Sequence, residues 1–301
     1  MSTSYHVAVI GLGAMGMGAA RSCLRAGLTT YGIDLSEQAR SQLQQAGAAV
    51  MADARPLAET LDAVLLLVVN ATQVRRILLG EEGLARHLKP GTAIMVSSTI
   101  AAEEASALAA ELAQLGLQML DAPVSGGAIK ADAGEMTVMA AGSDAAFDKL
   151  APVLDAVAGK LYRVGSEPGQ GSTVKIIHQL LAGVHIAVAA EAMALASRAG
   201  VPLDLMYDVV THAAGNSWMF ENRMPRVLTG DYQARSAVDI FVKDLTLVAD
   251  TAKALRFPLP LASTALNMFL SASNAGHGQE DDSAVIKTFS GITLPGQEER
   301  P

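Results

Sequence analysis

The chain has a single cysteine, Cys23, in 301 residues. One thiol excludes a disulfide framework and a thiolate metal cage. Aromatic side chains make up only 4% of the sequence, with one tryptophan, so Ala, Leu and Val must carry the core. Positive charge is also scarce. The formal net charge is −8, and no Lys/Arg stripe interleaved with aromatics occurs. That balance argues against a nucleic-acid partner. The six histidines are scattered, with no HExxH or HxxxH pattern. His178 and His185 lie two turns apart but have no carboxylate or third ligand, so no metal site is expected. The start, MSTSYHVAVIGLG, has no basic stretch followed by an apolar core and cleavage site. The uncharged run from Ile176 to Ala190 ends short of a bilayer span and carries two histidines and a glutamine. The expectation is a cytoplasmic protein with no membrane association.

What is present is a pattern that changes part-way. Short β-rich runs alternate with helical ones through the first half. His6–Gly11 (HVAVIG) reads as a buried strand ending in glycine, and Met15–Ala26 as a helix stopped by Gly27. Thr29–Asp34 is a second strand and Ser36–Ala46 a helix. Ala63–Asn70 (AVLLLVVN) is the continuous apolar run of a central parallel strand. A helix near Val74–Leu79, a strand Ala93–Ser97, a helix Glu103–Leu115 and a strand Gln118–Ala122 follow. This order predicts a doubly wound α/β Rossmann sheet, mostly parallel.

Strand signals stop after about Leu161–Val164, where Pro168, Gly169 and Gly171 punctuate the chain. Helical patterns then cover Thr173–Ala199, Leu203–Ala213, Met219–Leu228, Val238–Leu255 and Leu261–Ala275. The expected architecture is a cofactor-binding domain over 1–165. An all-α domain over 166–301 is joined to it by a long helix. The tail TLPGQEERP reads as frayed.

GLGAMG directly follows the first strand and opens the first helix. In that context it is a dinucleotide fingerprint. Gly11 permits the tight turn, Gly13 the approach of a pyrophosphate, and Gly16 close packing of helix on strand. Leu12, Ala14 and Met15 complete the phosphate loop, whose amides and helix dipole suit an anion. Asp34 ends the second strand, where a carboxylate accepts hydrogen bonds from the ribose diol and repels a 2′-phosphate. Leu35 and Ser36 follow it, with no arginine directly behind, so NAD is expected rather than NADP. A turn aspartate on a solvated edge is the plainer reading. Asn70 and Thr99 follow the fourth and fifth strands, where open α/β sheets bind ligands. Nicotinamide contact and simple helix capping both fit them.

DAPVSGG (121–127) ends the last strong strand of the first domain. The Ser125 hydroxyl and the amides of Gly126 and Gly127 suit a carboxylate, and an ordinary glycine turn also fits. Lys175 stands at the head of the uncharged run, with His178 and Gln179 about one helical turn on. A desolvated lysine has a lowered pKa and can serve as general acid or base. A lysine snorkelling at a helix end fits the composition equally well.

Together these residues resemble the β-hydroxyacid dehydrogenase family. The family's glycine motif matches GLGAMG at 11–16, its substrate motif DAPVSGG at 121–127, its catalytic motif GQGSTVK ending at Lys175, and its cofactor-proximal motif KDL at Lys243–Leu245. The resemblance implies a Rossmann domain, an interdomain helix and a helical domain that forms dimers or tetramers. It implies Lys175 as the general base of hydride transfer to NAD, Ser125, Gly126 and Gly127 as carboxylate holders, and Lys243 beside the nicotinamide. One position departs from the pattern: where the family places an asparagine four residues after the lysine, this chain has Gln179, preceded by His178. Both are expected to bind substrate hydroxyls.

HAAGNSWMFENRMPRVL (212–228), SAVDIFVKDL (236–245), LRFPLPLASTALNMF (255–269), SNAGHG (273–278) and EDDSAVIK (280–287) resemble the L-threonate dehydrogenase branch. That branch implies NAD-dependent oxidation of a sugar acid to 2-oxo-tetronate. A 3-hydroxyisobutyrate dehydrogenase or tartronate semialdehyde reductase is the alternative within the family, and an inactive nucleotide-binding protein the alternative outside it. Trp218 is expected either to shape the far side of the pocket or to pack in a core or subunit interface, and Asp239 and Asp244, which flank Lys243, either to bind substrate hydroxyls or to pair with the lysine at helical spacing.

Overall fold

A computed structural model of the protein describes residues 4–295. The described chain divides into two compact units, with the boundary between Lys175 and Ile176. The tail expected to fray lies mostly outside the described residues.

The first unit is built from β1 (His6–Ile10), α1 (Ala14–Arg25), β2 (Thr29–Ile33), α2 (Glu37–Gln45), β3 (Ala49–Met51), β4 (Ala63–Leu66), α3 (Ala71–Leu79), β5 (Ala93–Val96), α4 (Ala102–Gln114) and β6 (Gln118–Asp121). There follow β7 (Val124–Ser125), α5 (Gly127–Ala133), β8 (Met136–Ala141), α6 (Asp144–Val157) and β9 (Ala158–Gly165). Strands β3-β2-β1-β4-β5-β6 lie side by side in that order, all parallel. Strand β8 runs antiparallel to β6 and β7, and β9 pairs parallel with β8. The chain reverses its winding between β1 and β4, which creates the crevice where open α/β sheets take ligands. The central strands β1, β4 and β5 are buried on both faces, whereas β3 and β9 are largely accessible. Val7 and Val9 pack with Ala19, Cys23, Phe147 and Leu150. Ala8 and Ile10 pack with Val74, Leu78, Leu108 and Leu112. Each of the valine, leucine, isoleucine and phenylalanine side chains among them, fully buried, stabilises the fold by roughly 1.5–3 kcal/mol.

Helix α7 (Gln170–Arg198) has 29 residues and runs from the first unit into the second. It matches the helix expected over Thr173–Ala199 and starts three residues earlier. By length and composition it is apolar enough to cross a membrane, but half of its most apolar stretch is buried inside the protein, as in a core helix. The second unit continues with α8 (Leu203–Thr211), α9 (Trp218–Thr229), α10 (Val238–Ala254) and α11 (Pro260–Ala272). A π-helical turn over Ser273–His277 and a 3-10 helix over Asp282–Thr288 close it. Its core gathers Ile186, Met193, Phe220, Met224, Phe241 and Phe269, with the last two rings stacked 5.2 Å apart. Gly183 lets α7 and α10 approach closely: an added Cβ there falls 2.9 Å from Leu245.

Buried ion pairs tie α9 to the 3-10 segment. Arg223 donates to both oxygens of Asp282, at 2.7 and 2.9 Å, and Arg226 pairs with Asp281. Burial pushes the Asp281 carboxyl up, but Arg226, Ser283 and the Arg235 amide together hold it below the usual carboxylate range. At Asp282 burial prevails over Arg223 and leaves the carboxyl raised.

Candidate active-site residues

The glycine loop joins β1 to α1 at the crevice. Gly11 has φ +92°, and an added Cβ would lie 2.8 Å from the Leu67 carbonyl oxygen after β4. At Gly16 a Cβ would fall 1.7 Å from the Gly11 oxygen, so only glycine lets α1 start this close to the strand. Gly13 precedes Ala14 and Met15 at the open end of α1, and a Cβ there meets nothing within 4 Å. The three glycines thus differ in use: two pack the turn, and the third leaves room above the helix N-terminus. That arrangement fits a pyrophosphate.

Asp34 faces this loop. Its Oδ2 accepts from the Leu12 amide at 2.7 Å, and its Oδ1 accepts from the Ser36 amide at 2.7 Å. Each carboxylate oxygen keeps a further lone pair, so a ribose diol can still be accommodated. Arg40 was not anticipated from sequence. It reaches back one turn to donate to the carbonyls of Asp34 and Leu35, at 2.7 and 3.0 Å.

Asn70 caps α3: its side chain accepts from the Gln73 amide at 2.9 Å. The capping reading of Asn70 is therefore realised in the structure. Thr99 lies half-buried beyond β5. Just before it, the buried hydroxyls of Ser97 and Ser98 have no hydrogen-bond partner.

Sequence reasoning missed the part played by Asp121, which ends β6 fully buried. Its Oδ2 accepts from the amides of Gly169 and Ser172, both at 2.8 Å, and its Oδ1 from the Ser172 hydroxyl at 2.7 Å. The two amides are otherwise unsatisfied donors at the start of α7. Burial pushes the Asp121 carboxyl up, against Ser172 and the amides of Gly169 and Gly171. Gly171 is required for the approach, since a Cβ there would fall 2.4 Å from the backbone carbonyl oxygen of Asp121 and 2.6 Å from that of Met139. The first turn of α7 is thus pinned to the sheet, and Lys175 follows one turn later. Lys175 is only 6% exposed.

Ser125 ends β7 half-buried, and Gly126 and Gly127 open α5 with φ of +130° and +71°. Both backbones sit in the region glycine favours. A Cβ at Gly127 would meet nothing within 4 Å, so its surroundings are open.

In the second unit, four polar side chains join in a chain. Lys243 donates to Asp244 Oδ1 at 2.5 Å, and Gln179 Nε2 donates to Asp244 Oδ2 at 2.5 Å. Gln179 Oε1 lies 3.0 Å from His178 Nδ1. The structure therefore brings Lys243, His178 and Gln179 together and adds Asp244, which is buried between them. The KDL motif was the available signal, because it sets the carboxylate beside the lysine. Asp239 instead holds the π-helical turn and the residues after it, accepting from Ser273 at 2.6 Å and Gln279 at 2.9 Å. Trp218, the first residue of α9, is 51% exposed.

Comparison with known proteins agrees with this geometry. Residues 6–165 match the family described as the NAD binding domain of 6-phosphogluconate dehydrogenase. Residues 169–289 match that described as the NAD-binding domain of NADP-dependent 3-hydroxyisobutyrate dehydrogenase. The chain is 73% identical over 295 residues to an L-threonate dehydrogenase of Escherichia coli O6:H1, covering 98% of each chain. It is 70% identical to an L-threonate dehydrogenase of Pectobacterium atrosepticum, covering 100% of this chain and 99% of that one. The crystal structure of a 3-hydroxyisobutyrate dehydrogenase from Salmonella typhimurium superposes with a TM-score of 0.92 at 70% identity, covering 95% of this chain and 100% of that one. With its glycine loop, its mostly parallel sheet and its helical second half, the chain belongs to the β-hydroxyacid dehydrogenase family, the nicotinamide-dependent oxidoreductases that include 3-hydroxyisobutyrate dehydrogenase.

Proposed function

We propose that the protein oxidises L-threonate to 2-oxo-tetronate with NAD. The observation that carries this reading is Lys175. It is a basic side chain held 6% exposed in an apolar helix, within a chain 73% identical to an L-threonate dehydrogenase. Bound NAD supplies the hydride acceptor. Lys175 takes the proton of the substrate hydroxyl as general base. Ser125 with the amides of Gly126 and Gly127 holds the substrate carboxylate. His178 and Gln179 meet the remaining hydroxyls, and this polar pair favours a sugar acid over 3-hydroxyisobutyrate. Gly11, Leu12, Gly13, Ala14, Met15 and Gly16 cradle the pyrophosphate. Asp34 selects NAD, and Asn70, Thr99 and Lys243 border the nicotinamide.

In this reading residues 1–165 form the cofactor domain, and 166–301 the domain for substrate and oligomer contacts. The protein is read as a cytoplasmic homo-oligomer, a dimer or tetramer; for the subunit contact the support is that Ile177, Leu181, Val188 and Leu195 lie exposed at helical spacing on α7.

The test is turnover of the purified protein with NAD or NADP against a panel of 2- and 3-hydroxy acids. NADH formation with L-threonate at the highest kcat/KM is expected. No NADH with any of these acids overturns the enzyme reading. Asp34→Asn tests the cofactor assignment. Loss of a charge-assisted hydrogen bond is worth about 1.5–3 kcal/mol, so the NAD:NADP preference is expected to fall roughly 10–100-fold. An unchanged ratio removes Asp34 from cofactor choice.

A further inference from the structure

The chain Lys243–Asp244–Gln179–His178 constrains more than position. A carboxylate only accepts hydrogen bonds. With the Lys243 ammonium on Oδ1, Asp244 presents Oδ2 to the side-chain amide of Gln179 at 2.5 Å. Only the NH₂ end of that amide can face it, because the carbonyl end would set two acceptors together. The carbonyl end, Oε1, is then turned to His178 Nδ1 at 3.0 Å. An oxygen there requires an N–H on Nδ1. A neutral imidazole has one N–H, so its Nε2 carries the lone pair.

We propose that Asp244 is a positioning residue that, through Gln179, locks His178 in the Nδ1–H tautomer, so that the ring offers Nε2 as a hydrogen-bond acceptor. The ligand it suits is a hydroxyl donor. A polyol acid supplies such hydroxyls, and an alkyl-substituted acid does not. The inference rests on the substrate-binding reading of His178 above for its functional meaning, but the tautomer itself does not depend on that reading. A site built to hydrogen-bond a hydroxyl discriminates strongly against the analogue that lacks it.

The decisive experiment is ¹⁵N NMR of the full-length protein labelled at histidine, at a pH where His178 is neutral. Its signals are assigned by their loss in His178→Asn. The expected spectrum has a protonated, pyrrole-like Nδ1 and a pyridine-like Nε2. A pyridine-like Nδ1 in the wild type overturns the proposal. Asp244→Asn supplies the second arm. Its amide can donate to Gln179 Oε1, which lets the Gln179 amide turn over and offer N–H to His178 Nδ1. The expected result is a shift of His178 toward the Nε2–H tautomer. A folded Asp244→Asn protein whose His178 keeps a fully protonated Nδ1 also overturns it. The wild-type spectrum decides even if this variant does not fold.

Kinetics then test the functional reading separately. His178→Phe is expected to raise KM for the hydroxylated acid about tenfold, with kcat changed less than threefold, and to leave KM for a deoxy analogue unchanged, since losing one neutral hydrogen bond is worth about 0.5–1.5 kcal/mol. Equal KM changes for both acids, with the tautomer as proposed, would remove His178 from substrate recognition and leave the positioning by Asp244 standing.

Discussion

The two units bury carboxylates by opposite means. In the first, Asp121 is surrounded by neutral donors, the amides of Gly169 and Ser172 and the Ser172 hydroxyl. In the second, Asp281, Asp282 and Asp244 each meet a cationic side chain: Arg226, Arg223 and Lys243. The difference follows from what is to be held. Asp121 fixes a helix N-terminus, whose orphan amides already carry partial positive charge. The second unit closes a helix cluster with an irregular segment after α11, where the amides of Arg235 and Ser283 reach Asp281 but a cationic partner is still present. There, long guanidinium side chains span the gap and bring full charge with them.

Breaking the ion pairs is the largest test of this contrast. Arg226→Met leaves Asp281 buried beside Ser283 without its guanidinium, at an expected cost of about 3–5 kcal/mol. Urea unfolding measures it, and a loss below 1 kcal/mol would mean that the pair does not hold the second unit. Asp121→Asn is expected to cost less, about 1–3 kcal/mol, because one carboxylate oxygen becomes a donor facing donors. A cost equal to that of Arg226→Met would erase the distinction.

Acid titration separates the two sites by sign. The Asp281 carboxyl lies below its unfolded value, so its contribution to stability is present above the ordinary carboxylate range, near about pH 4, and is lost as pH falls through its folded pKa. The Asp121 carboxyl is raised. The folded state binds that proton more tightly, so its contribution is present below the unfolded pKa and is lost as pH rises through the folded one. Stability measured against pH is therefore expected to lose part of its acid-side fall in Asp281→Asn. In Asp121→Asn it is expected to lose a gain on acidification above about pH 4. Matching slopes in both variants would contradict the assignment.

The smallest effect concerns Asn70. Asn70→Ala removes the cap of α3 and is expected to cost about 1 kcal/mol. Asn70→Ser keeps a capping oxygen and restores most of it. A raised KM for NAD in the serine variant, with stability retained, would show that Asn70 also meets the cofactor.

Much of this contrast was invisible along the sequence, for physical reasons. The parallel strands β1, β2, β4, β5 and β6 were legible because burial on both faces demands continuous apolar runs. Strand β8 (MTVMAA) was not, since Met and Ala suit a helix as well. Helix α6 was hidden by Pro152 within it. Strands β3 and β7 are too short to leave a periodic signal. GLGAMG and Asp34 announced themselves because local spacing sets their geometry. Asp121 and Gly169 lie 48 residues apart, and Arg223 and Asp282 lie 59 apart, so no local pattern links either pair. Lys175 and His178-Gln179 stood out as polar residues in an apolar helix, but their orientation depends on Asp121 at one end and Asp244 at the other.

The central claim is that Lys175 moves the proton while the rest of its surroundings only holds it in place. Lys175→Ala, assayed with NAD and L-threonate and checked for NAD binding by calorimetry, tests that claim most directly. A fall in kcat of roughly 10²–10⁴-fold is expected, the range of general acid–base catalysis, with NAD affinity retained. A kcat within tenfold of the wild type would contradict the claim.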